Sequence, residues 1–139
     1  MTPLHLADTS AWSRSGRNRA TAARWDELLD DGNLAICSPV RLELLYSARS
    51  PADYVALADD LAGLRELALD DRALARAEEV QAVLAETSRH RAARAADLYI
   101  AAVAELNDAT LLHYDRHFDA IAEVTGQAVE WIAPRGTLD

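Results

Sequence analysis

The sequence predicts an α/β fold, a three-layer α/β/α sandwich built around a central, mostly parallel sheet. Three observations carry that prediction. Short apolar runs alternate with longer amphipathic stretches, as strands joined by helical crossovers require. Half of the 139 residues are hydrophobic and 27% are charged, a balance that supplies a core and disfavours disorder. No linker, repeat or compositional break divides the chain, so residues 1–139 are expected to form one domain.

The elements follow in order. Leu4–Ala7 is a short apolar strand, and Asp8-Thr9-Ser10 opens a helix with residue types that favour N-caps. A polar stretch from Arg14 to Arg19 precedes a helix over Thr21–Asp30. Asp31-Gly32-Asn33 marks a turn, followed by a strand over Leu34–Cys37. Ser38-Pro39 sets a capping residue before a first-turn proline and begins the next helix. Ser50-Pro51 repeats that signal, and Tyr54, Leu57, Leu61 and Leu64 then share one helical face.

Glu66–Leu69 is a candidate strand, and Leu74, Ala77, Val80 and Leu84 mark an amphipathic helix. Ala95–Leu106 is apolar on nearly every side, as in a buried helix. Thr110–Tyr114, Arg116–Glu123 and Ala128–Ile132 complete the pattern as strand, helix and strand. Trp12, Trp25 and Trp131 are expected in the core or an interface. Lone Cys37 lies in an apolar run without a disulfide partner, which points to an intracellular protein. No apolar run approaches the ~18 residues of a membrane span, and no signal-peptide pattern opens the chain. A cytoplasmic location with no membrane partner is expected.

Four carboxylates stand where one element gives way to the next: Asp8, Glu43, Asp97 and Asp115. Asp8 and Asp115 follow strands, at the sheet edge where parallel sheets bind ligands. Asp97 opens the buried helix, and Glu43 follows the second strand. Acids among apolar neighbours are costly unless exposed, protonated or paired with a cation. Asp8 and Asp115 are also plausible N-caps, and Asp97 complements a helix dipole. Glu43, flanked by leucines inside a helix, has no such explanation. Together the four suggest a shared divalent metal, and Asp119 lies four residues beyond Asp115 on the same side of its helix.

The net charge of −9 argues against a general basic surface for nucleic acid. All fourteen basic residues are arginines, a bias that GC-rich codons explain. Arginine still binds phosphate bidentately, and Arg14, Arg17 and Arg19 are candidates for such contacts. The absence of lysine excludes mechanisms that need its amine, including a receiver-type phosphorylation site. A haloacid-dehalogenase-like phosphatase needs a second aspartate where Ser10 stands. No G-x-x-x-x-G-K-[ST] loop is present. A transition-metal site at His113 and His117 lacks accompanying cysteines or an H-E-x-x-H pattern. His5 and His90 are expected to be solvent-facing or structural.

These residues resemble the PIN-domain nucleases, in particular the VapC-type toxins of bacterial toxin–antitoxin pairs. The resemblance rests on the strand followed by Asp8-Thr9-Ser10, on Pro39-x-x-x-Glu43-Leu44, on Asp97-Leu-Tyr-Ile-Ala-Ala-Val-Ala104, and on Tyr114-Asp115-x-x-Phe118-Asp119, in family order along nearly the whole chain. It implies an endoribonuclease dependent on Mg²⁺, with Mn²⁺ as the alternative, acting on RNA as a homodimer and silenced by a cognate VapB-like antitoxin. It assigns Asp8, Glu43, Asp97 and Asp115 to the catalytic, metal-holding site, with Ser10 and Asp119 in support. His113 departs from the threonine common in relatives. An apolar groove between the helices bearing Leu42–Tyr46 and Tyr54–Leu64 is a candidate antitoxin seat. The competing readings are a catalytically silent PIN-like binding module and another metal-dependent phosphoesterase. Metal titration separates the first of these, because a silent module binds Mn²⁺ no better before Asp8→Asn than after.

Overall fold

The computed structural model describes residues 3–138. Among the described residues five strands form one sheet: β1 (His5–Ala7), β2 (Leu34–Ile36), β3 (Arg65–Glu66), β4 (Thr110–His113) and β5 (Val129–Trp131). All neighbours are parallel, in the order β3-β2-β1-β4-β5. The chain builds outward from β1 through β2 to β3, then returns to lay β4 against the other side of β1. The C-terminal ends of β1 and β4 therefore flank the point where strand order reverses, which opens a crevice in sheets of this kind.

Seven helices among the described residues cover the sheet: α1 (Thr9–Trp12), α2 (Arg19–Asp30), α3 (Ser38–Tyr46), α4 (Pro51–Ala62), α5 (Asp71–Ala85), α6 (Ala95–Leu106) and α7 (His117–Thr125). Successive strand residues point to opposite faces, and two cores result. Leu6 and Leu111 meet Val40, Leu61, Ile100 and Phe118 on one face. Ala7 and Leu112 meet Trp25 and Leu28 of α2 on the other. Among the described residues, no helix is long and apolar enough to cross a membrane.

Local chemistry fixes the helix ends. Asn18 accepts the Thr21 N–H while Thr21 Oγ1 accepts that of Asn18, a reciprocal cap for α2. Ser50 Oγ accepts the Asp53 N–H, and Pro51 opens α4 as expected. Gly126, at φ +71°, ends α7 in the left-handed conformation that glycine adopts without steric cost. Ser38 does not cap α3. Cys37 occupies the cap position without a side-chain bond, because the helix begins one residue early. Burial pushes the Cys37 thiol up to about 12, leaving it a small core residue.

The structure also moves two apolar faces. Ala73, not Leu74, joins Ala77, Val80 and Leu84 in the core, while Leu74 is exposed. On α4, Leu61 is fully buried and Leu57 packs against the core. On α3 and α4 the large apolar side chains left open are instead Leu42, Tyr46, Tyr54 and Val55, with Tyr46 93% exposed.

Candidate active site

Asp8, Glu43, Asp97 and Asp115 line one cleft of about 250 Å³, together with Thr9, Ser10, Ser13, Arg94 and His117. Each acid arrives on a different element. Asp8 caps α1 directly after β1, and its Oδ2 accepts the Ser10 N–H at 3.0 Å. Its own N–H reaches Leu112 O of β4 at 2.9 Å, which ties it beside the neighbouring strand end. Ser10 Oγ accepts the Tyr114 N–H at 2.9 Å, so one hydroxyl clamps the β1–α1 turn to the segment carrying Asp115. Glu43 stands exposed on α3, and Asp97 lies in the first turn of α6.

The electrostatics differ across the cleft. Burial pushes the Asp8 carboxyl above the ordinary carboxylate range; hydrogen bonding from Ser10 opposes this, and Asp97 adds to it. Glu43 is raised as well, by partial burial and then by Asp8 and Asp97. Neither acid has an ion-pair partner among the described residues. Asp97 and Asp115 do have one nearby: His117 Nδ1 lies 3.2 Å from Asp97 Oδ2 and 3.4 Å from Asp115 Oδ1. Asp115 Oδ1 also accepts the His117 N–H at 3.0 Å.

The donor set is suited to a hard divalent cation. It consists of carboxylate oxygens, with a buried Thr9 hydroxyl that has no hydrogen-bond partner. A cation offsets both the burial and the mutual repulsion that raise Asp8 and Glu43. Among the described residues, however, no three His, Cys, Asp or Glu side chains are grouped tightly enough to ligate one ion. Asp97 and Asp115 are turned toward His117 instead.

The remaining sequence candidates separate. Asp119 lies outside this cleft; its Oδ1 accepts the Trp131 Nε1–H at 3.1 Å, and it lines a neighbouring cavity. His113 is fully buried between Phe118 and Trp131, and its Nδ1 accepts the Asp115 N–H at 3.1 Å. Burial lowers His113 to about 4, so it stays neutral, and with Nδ1 taken up by the Asp115 N–H it acts as a strut beneath the cleft. Trp12 and Trp25 pack edge to face at 4.6 Å beneath α2. Arg14 stacks on Tyr114 and donates to Ser10 O, and Arg17 donates to Leu138 O. These two arginines are held by the fold. Arg94 is a site residue that sequence reasoning missed, and His117, weighed there only as a transition-metal ligand, stands instead between Asp97 and Asp115. A histidine two residues after Asp115 was the available signal.

A family model for the PIN domain matches residues 6–124. Ribonuclease VapC18 of Mycobacterium tuberculosis (strain ATCC 25618 / H37Rv) is 47% identical over 137 residues, covering 97% of this chain and 99% of the relative. Ribonuclease VapC21 of the same strain is 38% identical over 138 residues, covering 99% of each. Among solved structures, a DNA-bound VapBC from Salmonella typhimurium superposes with a TM-score of 0.75 at 20% identity, over 95% of this chain and 100% of that one. VapBC-5 from Mycobacterium tuberculosis gives 0.63 at 26% identity, over 94% and 98%.

Proposed function

Because this chain belongs to the PIN-domain family, we propose that it is a divalent-metal-dependent endoribonuclease, the toxin of a type II toxin–antitoxin pair, acting in the cytoplasm. The observation that carries this reading is the meeting of Asp8, Glu43, Asp97 and Asp115 in one cleft at the strand-order reversal. Its relatives at 47% and 38% identity over nearly the full length are ribonucleases. Residues 1–139 act as one PIN domain.

In this reading Asp8 and Asp97 hold the metal directly, and Glu43 and Asp115 complete its surroundings. Mg²⁺ is the metal proposed, with Mn²⁺ able to replace it. When bound, such an ion polarises a phosphodiester oxygen, acidifies an attacking water and stabilises the leaving oxygen. The protein's own residues supply orientation. Ser10 fixes Asp8 through its N–H and anchors Tyr114 through its hydroxyl. His117 keeps Asp97 and Asp115 side by side. Exposed Glu43, with its raised proton affinity, accepts the proton that the attacking water loses. RNA cleavage should cease in EDTA and return with Mg²⁺ or Mn²⁺; cleavage undiminished by EDTA refutes the reading.

The partners proposed are RNA, a cognate antitoxin and a second copy of the chain. VapBC-5, a relative in structure at 26% identity, is a member of the VapBC family of toxin–antitoxin systems. Within the groove expected between α3 and α4, Leu61 is buried and Leu57 packs against the core, so the antitoxin seat proposed is its open apolar part, Leu42, Tyr46, Tyr54 and Val55. Replacing Leu42 and Tyr46 with Asp should leave RNA cleavage intact and abolish neutralisation; normal neutralisation of that variant removes the seat from this surface.

A further inference from the structure

Beside the acid cleft lies a second cavity, of about 480 Å³, lined by Arg91, Arg116, Arg135, His117, Asp119 and Glu123. His117 belongs to both, so the two spaces adjoin. The three arginines come from three segments: the loop before α6, the turn between β4 and α7, and the tail after β5. None of their guanidinium groups has an ion-pair or hydrogen-bond partner among the described residues. The two acids in the cavity are already engaged. Glu123 pairs with Arg89 at 2.6 Å, and Asp119 accepts from Trp131.

Other arginines among the described residues also lack a side-chain partner, Arg19, Arg49, Arg65 and Arg72, but they lie outside this cavity, and what sets Arg91, Arg116 and Arg135 apart is that they line one space. Arg24, Arg41, Arg76 and Arg89 are each matched to glutamates, and Arg14 and Arg17 are held by Tyr114 and Leu138 O. On a chain of net charge −9, unmatched arginines gathered at one cavity create a local field opposite to that of the whole molecule. Exposed Arg94, also without an acidic partner, continues the line to the rim of the acid cleft.

We infer that the Arg91–Arg116–Arg135 cavity binds backbone phosphates of the RNA strand on one side of the scissile bond. This rests on the ribonuclease reading for its ligand. With the scissile phosphate at the carboxylates, the strand leaves past His117 into the arginine cavity, where guanidinium forks match phosphate oxygens bidentately. The cavity thus overcomes the repulsion between an acidic protein and its polyanionic substrate, and it sets the direction in which the strand lies.

The test compares two triple variants with the wild-type full chain. One is Arg91→Gln with Arg116→Gln and Arg135→Gln; the other is Arg49→Gln with Arg65→Gln and Arg72→Gln, which removes the same charge from exposed arginines outside the cavity. Binding of a labelled single-stranded oligoribonucleotide is followed by fluorescence anisotropy in EDTA across a salt series, with melting curves confirming that each variant folds. The cavity variant should bind on the order of tenfold more weakly or worse, and the magnitude of its log–log salt slope should fall by about 2, near 0.7 per lost phosphate contact. The control should stay within about twofold of wild type. Unchanged binding by the cavity variant, an equal loss in the control, or no RNA binding by the wild type overturns the inference. So does a cavity variant that keeps RNA and loses only antitoxin. If the cavity variant alone loses binding while the wild type leaves bound RNA uncut with Mg²⁺, the phosphate cavity stands and the ribonuclease reading fails.

Discussion

Glu130, in β5, lies 3.2 Å from the His5 ring and 3.1 Å from the Arg24 guanidinium. Asp8, one strand end away on the same sheet, has no cationic partner among the described residues. His5 is fully buried, with Nδ1 donating to Pro3 O at 2.8 Å, so Glu130 and Arg24 close a network fastening β5 and α2 to the start of β1. The His5 contact, and then Arg24, draw the Glu130 carboxyl down to about 2 against the upward push of burial. Asp8 shifts the other way. Where the chain supplies counter-charges, an acid strengthens the fold. Where it gathers acids without them, the site requires a cation from outside.

The largest expected effect falls on the acid cleft. Asp8→Asn or Asp97→Asn should lower RNA cleavage roughly a thousandfold, the scale of several kcal/mol of metal-assisted stabilisation, with the far-ultraviolet circular dichroism unchanged. Glu130→Gln should leave cleavage per folded molecule intact. Undiminished cleavage in an acid-cleft variant, or its loss in Glu130→Gln, would erase the contrast between the two regions.

Stability should report the reverse. Glu130→Gln removes charged hydrogen bonds from a partly exposed network, and urea unfolding at neutral pH should lose about 1–2 kcal/mol. The loss has a defined pH window. Glu130 is held near 2 against an ordinary 4.5, so its stabilisation is complete above about pH 4.5 and fades as the pH falls toward 2. The difference between wild type and Glu130→Gln should shrink across that interval. A constant difference would show that the network acts through packing alone.

The smallest effect is a gain. Asp8→Asn relieves a buried charge in an acidic cleft while keeping an oxygen to accept the Ser10 N–H. In EDTA it should raise the unfolding free energy by about 0.5 kcal/mol, the low end for relieving unfavourable charge. A destabilised variant would mean that the Asp8 charge contributes to the fold in its own right.

The helix boundaries were legible because capping is local: Ser50-Pro51 and Asp8-Thr9-Ser10 carry their instructions within a few residues. Four strands shortened by a residue or more at their ends, and β3 shifted from Glu66–Leu69 to Arg65–Glu66, because pairing depends on the neighbouring strand. Leu74 and Leu61 show the limit of periodicity. Both fit an apolar stripe, yet Ala73 displaced Leu74 from the core while Leu61 sank fully into it. A stripe fixes a face only within the error of its phase, and what covers that face is a tertiary matter. The approach of His117 to Asp97 and the gathering of Arg91, Arg116 and Arg135 at one cavity were illegible for a related reason, since each joins segments remote in sequence.

The sequence by itself determined the order of strands and helices and put Asp8, Asp97 and Asp115 at switches between elements, with Glu43 inside the helix after β2, because both depend on residue type at short range. Only the tertiary structure decided which acids meet and which find cations. The order β3-β2-β1-β4-β5 sets Asp8 beside the strand end that leads to Asp115. Packing of α6 and α3 against that edge brings Asp97 and Glu43 into the cleft. The same topology carries Glu130 to His5 and Arg24. Charge compensation is a property of distance in space, which only the folded chain sets.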